Sequence, residues 1–187
     1  MIVDDARALM HLWTESEALR VHMECVAACM GGYAEKLHPG DGRLKERWII
    51  AGLLHDYDYE KHPSLAEHPR IGVQNLREST DVDDEILSAI MGHNPATGVP
   101  RTSELAKVLF AVDELAGFIV ACAKVRPNGI SDMEAKSVKK KLKDKAFAAA
   151  VSRSDIALGI EELGAEQTGH IQTCIDAIRA EAQRLGV

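Results

Sequence analysis

Six side chains between positions 22 and 113 have the types that hold a divalent cation: His22, His55, Asp56, His68, His93 and Asp113. The apolar run Trp48-Ile49-Ile50-Ala51-Gly52-Leu53-Leu54 ends abruptly in His55-Asp56. A carboxylate buried there without a partner is strongly penalised. A cation offsets that penalty; so does an Arg or Lys partner, or a helix cap. His22 shares a helical strip with Leu19 and Val26, so periodicity turns it inward. Asp113 closes the run Val108-Leu109-Phe110-Ala111-Val112, where an acid should face something positive. His68 and His93 fall between these positions, each near a predicted helix end. This nitrogen and oxygen set suits one or two ions of Mn, Fe, Co, Ni, Zn or Mg. A rival set, Cys25 and Cys29 with His22, lacks a fourth ligand and the spacing of a zinc finger. Small buried hydrophobes are the reading favoured for both thiols.

The elements that must position these groups read as helices throughout. Residues 4–12 suit a short amphipathic helix. Thr14-Glu15-Ser16-Glu17 has the pattern of a capping box and opens a second helix to about Lys36. A third covers Leu44 to His55 and is apolar nearly all round, so it should be buried. Tyr57 to Ser64 reads as a polar loop. Leu65 to Ser79 reads as helix with Pro69 near its start, and Asp81 or Asp83 caps the next, which runs to about Met91. Gly92 to Pro100 is a loop. Thr102 and Ser103 open a long apolar helix that ends before Arg126-Pro127-Asn128-Gly129, and Ser131 or Asp132 caps the one after it. The last helix runs from about Ala165 to Leu185. No alternating strand pattern occurs, so the expected fold is all-α. It has a helical core over 1–126 and a helical extension over 127–187 packed on it as a single unit.

Composition narrows the function classes. Hydrophobic residues make up 46% of 187 residues and aromatics only 4%, which favours closely packed Ala- and Leu-rich helices over sheets. The net charge of -7 gives no general attraction for nucleic acid or an anionic membrane. The one basic run, Lys136 to Lys145, reads as a solvated face. No apolar stretch approaches the span of a membrane helix, and Met1 to Asp5 does not resemble a signal peptide. The expected location is cytoplasmic, with Cys25, Cys29, Cys122 and Cys174 reduced. His11, His38, His62 and His170 are expected at the surface.

The order His22, then His55-Asp56, then Asp113 resembles the signature of the HD superfamily of metal-dependent phosphohydrolases. The neighbouring words are similar too: Ala51-Gly52-Leu53-Leu54-His55-Asp56 and Ala111-Val112-Asp113-Glu114-Leu115. His68-Pro69-Arg70-Ile71-Gly72 and Ile90-Met91-Gly92-His93-Asn94 resemble the extra histidine positions of members with additional ligands. The resemblance covers about residues 18–125 and is nearest to the small hydrolases of that superfamily inferred from the motif. It implies an HD-domain helical bundle with the metal between helices. His22, His55, Asp56 and Asp113 would be primary ligands, and His68 and His93 would complete a second site with Asp56 bridging. The chain departs from the common continuation of the HD pair, Ile-Gly-Lys. Tyr59 stands at the lysine position, and Lys61 is the available substitute.

The reaction implied is hydrolysis of a small phosphorylated molecule, a phosphoester or nucleotide-like compound, by a metal-activated water. Asp56 would bridge and orient that water, Asp58 would act as general acid or base, and Lys61, Arg70 or Arg101 would neutralise the phosphate. The same ligand order also resembles HD-type di-iron oxygenases, the alternative reading. A non-catalytic metal- or nucleotide-binding module is the third. Oligomeric state has no signature in the chain.

Overall fold

The computed structural model describes all 187 residues, and every regular element in it is helical. Helix α1 (Val3–Trp13) begins with Asp4 and Asp5, acids that complement the positive end of the helix dipole. Because α1 runs on to Trp13, Thr14 closes that helix rather than opening the next. Its backbone amide bonds Met10 O, and its buried hydroxyl donates to Tyr57 O at 3.1 Å. The cap of α2 (Glu17–Leu37) is therefore Ser16, whose hydroxyl accepts from Leu19 N, in place of the expected Thr14 box.

Helix α3 (Gly42–Leu54) is capped by Asp41, and its C-terminal half buries Trp48, Ile50, Leu53 and Leu54. Its opposite face carries Arg47 to Asp83 and Glu85, so burial is one-sided at the start of the helix. Gly52 sets how closely α3 crosses α2. A Cβ at that position would lie 2.6 Å from Ala27 Cα and 2.7 Å from Ala27 N. Only glycine permits this approach, and the approach brings the end of α3 against the middle of α2.

The stretch expected as a polar loop after Asp56 is polar only in part. Tyr57 and Asp58 are fully buried. The Tyr57 hydroxyl donates to Gly72 O at 2.7 Å, and its ring packs on Trp13. Helix α4 (Arg70–Ser79) starts five residues later than Leu65, because the chain turns repeatedly until Pro69 serves as the N-cap. Asp83 caps α5 (Asp84–His93) by accepting from Ile86 N, and the helix extends past Met91 to include His93. A 3-10 turn (Pro95–Thr97) precedes α6 (Glu104–Lys124), which Ser103 caps.

Helix α6 is the central element, buried at Leu105, Val108, Leu109, Val112, Leu115, Phe118 and Ile119 among others. Each such side chain removed from water contributes about 1.5–3 kcal/mol. Four helices follow it: α7 (Ala135–Leu142), α8 (Arg153–Leu163), α9 (Gln167–Ala180) and the short α10 (Ala182–Leu185). Neither Ser131 nor Asp132 caps α7. Glu134 holds that position without a side-chain bond, and Asp132 pairs with Arg126 at 2.6 Å. The final helical stretch breaks at Glu181, so α9 and α10 replace the single helix expected over 165–185.

One hydrophobic cluster includes Val26, Leu53, Leu109 and Phe118 together with Ile130, Val138, Ile156, Ile171 and Ile175. Gly159 lets α8 lie directly on α6, since a Cβ there would sit 2.6 Å from Ala111 Cα. His170 on α9 is 1% exposed, not a surface residue. A backbone carbonyl can only accept, so Nε2–H donates to Ala111 O at 3.0 Å and Nδ1 accepts from the Tyr33 hydroxyl. Burial holds this ring neutral, down to about 4. The four cysteines are free and buried. No helix is long and apolar enough to cross a membrane.

Candidate metal centre

His55 and Asp56 stand where α3 ends, His22 lies in mid α2, and Asp113 in mid α6. The Gly52–Ala27 crossing and the packing of α6 on α2 draw them together. His22 Nε2 lies 3.3 Å from His55 Nε2, 3.1 Å from Asp113 Oδ1 and 3.6 Å from Asp56 Oδ2. His55 Nε2 lies 3.4 Å from Asp113 Oδ1 and 3.5 Å from Asp56 Oδ2. The other oxygen of Asp56 belongs to a second group. Oδ1 lies 3.2 Å from both His68 Nε2 and His93 Nε2, which are themselves 3.2 Å apart. One carboxylate thus serves two sets, one oxygen each.

The ring orientations are fixed from behind. His55 Nδ1–H donates to Gly52 O at 2.8 Å, and His93 Nδ1–H donates to Ile90 O at 2.5 Å. Both are contacts to the helix turn just passed, available because each histidine ends its helix. His68 Nδ1–H donates to Asp58 Oδ1 at 2.8 Å, and Asp58 Oδ2 accepts from Gly72 N at 2.8 Å. With these protons placed on Nδ1, the Nε2 lone pairs of His68 and His93 point at each other, and those of His55, His68 and His93 at carboxylate oxygens. Acceptors facing acceptors at 3.2–3.5 Å repel unless something positive lies between them.

The spacing fits a cation. Ligands about 2.0–2.2 Å from one ion are about 3.3–3.6 Å apart in a tetrahedron and about 3 Å apart at neighbouring corners of an octahedron. The separations within His22, His55 and Asp56 and within Asp56, His68 and His93 fall in that range, Asp113 adds contacts to His22 and His55 at 3.1 and 3.4 Å, and the donor set, imidazole with carboxylate, suits a first-row divalent ion. Without an ion, protons fill the role. Burial opposes charge on His55, yet Asp56 and Asp113 overcome it and push the ring up to about 9. His68 is buried too, and Asp56 and Asp58 carry it to about 9. Asp56 and Asp113 are partly buried, and desolvation alone would raise them, but the histidines beside them hold both well below the usual carboxylate range.

A cavity of about 410 Å³ opens beside these groups. Leu19, Phe110 and Val151 supply its apolar wall; Tyr59, Asn94, Glu114 and Asp155 supply polar edges. No Lys or Arg lines it. Lys61, expected near a phosphate, does not reach the cavity: its ammonium lies 4.6 Å over the Trp13 ring. Arg101 is spent on Glu162, at 2.6 and 2.7 Å, and on Gly92 O. Arg70 points to Thr97 O. Asp58 is not a proton-transfer group at the cavity, since it is fully buried and both its oxygens are engaged with His68 and Gly72.

Gly72, Glu114, Ser152 and Asp155 escaped the sequence reading. Gly72 had a signal, because a glycine inside a helix costs about 1 kcal/mol and so implies a packing reason. Here a Cβ would meet Asp58 Cγ at 2.6 Å. Ser152 and Asp155 had none, because only the fold of the C-terminal helices brings Asp155 to the cavity and the Ser152 amide to Glu114.

A family model described as HD domain matches residues 20–117, just over half of the chain, and that span contains all six converging side chains. No curated protein and no solved structure matches the chain.

Proposed function

The chain belongs to the HD-domain family, most of whose members are metal-dependent hydrolases, and on that premise we propose that it is a phosphohydrolase acting on a small phosphoester. One observation carries this reading: Asp56 divides its two oxygens between His22, His55 and Asp113 on one side and His68 and His93 on the other. A shared carboxylate of this kind suits a pair of divalent cations, of Mn, Fe, Co, Ni, Zn or Mg type. Bound there, such ions lower the pKa of a water and polarise a phosphoryl oxygen.

The chain's own residues supply position and shelter. The Nδ1 contacts to Gly52, Ile90 and Asp58 keep three rings from turning, so the Nε2 atoms stay aimed at the centre. Leu19 and Phe110 exclude bulk water from one wall. A cavity of about 410 Å³ beside the six groups suits a small substrate and argues against a purely structural or sensing role.

The test is Asp56→Ala, read by elemental analysis and by a phosphoester panel with added manganese or magnesium. The expected outcome is loss of both metal and turnover. Wild-type values of both overturn the proposal. So does a protein purified with iron that consumes oxygen and turns over no phosphoester, which selects the oxygenase reading.

A further inference from the structure

The cavity is lined by four carboxylates, Asp56, Asp113, Glu114 and Asp155, and by no Lys or Arg. Asp56 and Asp113 face the histidines. Glu114 and Asp155 do not, and neither forms an ion pair with any basic residue. Arg101 is committed to Glu162, and Arg153 to the carbonyls of Asp144, Phe147, Ala148 and Val151. Glu114 is half-buried and accepts from Ser152 N at 3.0 Å through one oxygen. Ser152 is also the cap of α8, so this bond seats the start of α8, with Asp155 in its first turn, against Glu114. The helix dipole accounts for an acid at Asp155. It gives no reason for a second acid opposite, and the two repel.

Resting on the phosphohydrolase reading, two divalent charges at the histidine end exceed the two carboxylates Asp56 and Asp113 that face them. That end is then net positive, while the Glu114–Asp155 end is negative. We propose that the substrate is a small phosphoester bearing an ammonium group, its phosphoryl end toward Asp56 and its ammonium end toward Glu114 and Asp155. An anionic tail, such as a second phosphate, would meet two acids with no basic side chain to receive it. A purely apolar tail would desolvate both carboxylates, leaving Asp155 without a partner and Glu114 with the Ser152 amide alone.

The test is calorimetric binding to the full-length protein loaded with manganese, using 2-aminoethyl phosphate, its isostere propyl phosphate, and inorganic phosphate. The amino ester is expected to bind at least about tenfold tighter than propyl phosphate, a ratio that shrinks with added salt. In Asp155→Asn, and in Asp155→Asn combined with Glu114→Gln, the ratio should fall toward one while the affinity for inorganic phosphate holds. The single variant suffices if the double one does not fold. Equal binding of the two esters to the wild type overturns this inference alone. An undiminished ratio in folded Asp155→Asn overturns the assignment to these residues. Failure of all three probes to bind overturns the phosphohydrolase reading and the inference with it.

Discussion

The two halves of the candidate centre are built by different means. His22, His55 and Asp113 come from α2, α3 and α6, long helices whose mutual burial fixes them before any polar contact is counted. His68 and His93 come from a turn and from the end of the short α5. Their half is held by hydrogen bonds: Asp58 to His68 and Gly72, Tyr57 to Gly72, His93 to Ile90. Packing of helices is distributed over many side chains, whereas a short chain of hydrogen bonds fails at a single link. The second half should therefore be the easier one to lose.

Substitutions ranked by their effect on the centre probe this contrast. Gly52→Ala should act on both halves, because the new Cβ meets Ala27 backbone at 2.6 Å and α3 carries both His55 and Asp56. The expected result is about 1–3 kcal/mol lost in denaturant unfolding and metal content well below two ions per chain. Retention of both ions would show that the crossing does not set the site. Gly72→Ala should spare the first half. Its Cβ meets Asp58 Cγ at 2.6 Å and the Tyr57 ring at 2.9 Å, so elemental analysis should fall from two ions toward one. Asp58→Asn is milder, since it keeps the shape and removes the charge behind His68. The weaker of two binding steps should drop about 10–100-fold in affinity, with the stronger unchanged. Equal weakening of both steps would erase the distinction between the halves.

The smallest effect on the centre is expected from His170, which touches neither half. Its ring is held neutral down to about 4, against an ordinary value of 6.5. Between those values the unfolded chain binds a proton that the folded chain refuses. Stability therefore falls as pH drops below about 6.5, by about 3 kcal/mol in full below about 4. His170→Gln should flatten that part of the stability profile and leave metal content unchanged. A profile as steep as that of the wild type would locate the acid sensitivity elsewhere.

Much of this arrangement was legible in the chain. The helices follow from apolar periodicity, and α3 and α6 lie close to where they are expected because their burial is encoded locally. Helix ends were harder. Thr14 has the pattern of an N-cap, yet α1 runs on to Trp13 and takes Thr14 as its C-cap, where the hydroxyl donates to Tyr57 O. The convergence of six ligand-type side chains was readable because an acid in an apolar run demands a partner, and His55-Asp56 and Asp113 are two such demands. Lys61 and Asp58 were misplaced for one reason. Proximity in sequence to His55-Asp56 says nothing about which way a tight turn throws each side chain, and here Asp58 points inward and Lys61 to Trp13. His170 looked like a surface residue because its partners, Tyr33 and Ala111, lie 137 and 59 positions away.

The shared carboxylate has a thermodynamic consequence. If two ions are held by opposite oxygens of Asp56, as proposed, they would not load independently, and a titration of the stripped protein would need a coupling constant beside its two affinities. Whatever factor the first ion imposes on the second, the second returns to the first. Occupancy measured at one metal concentration would then describe the pair.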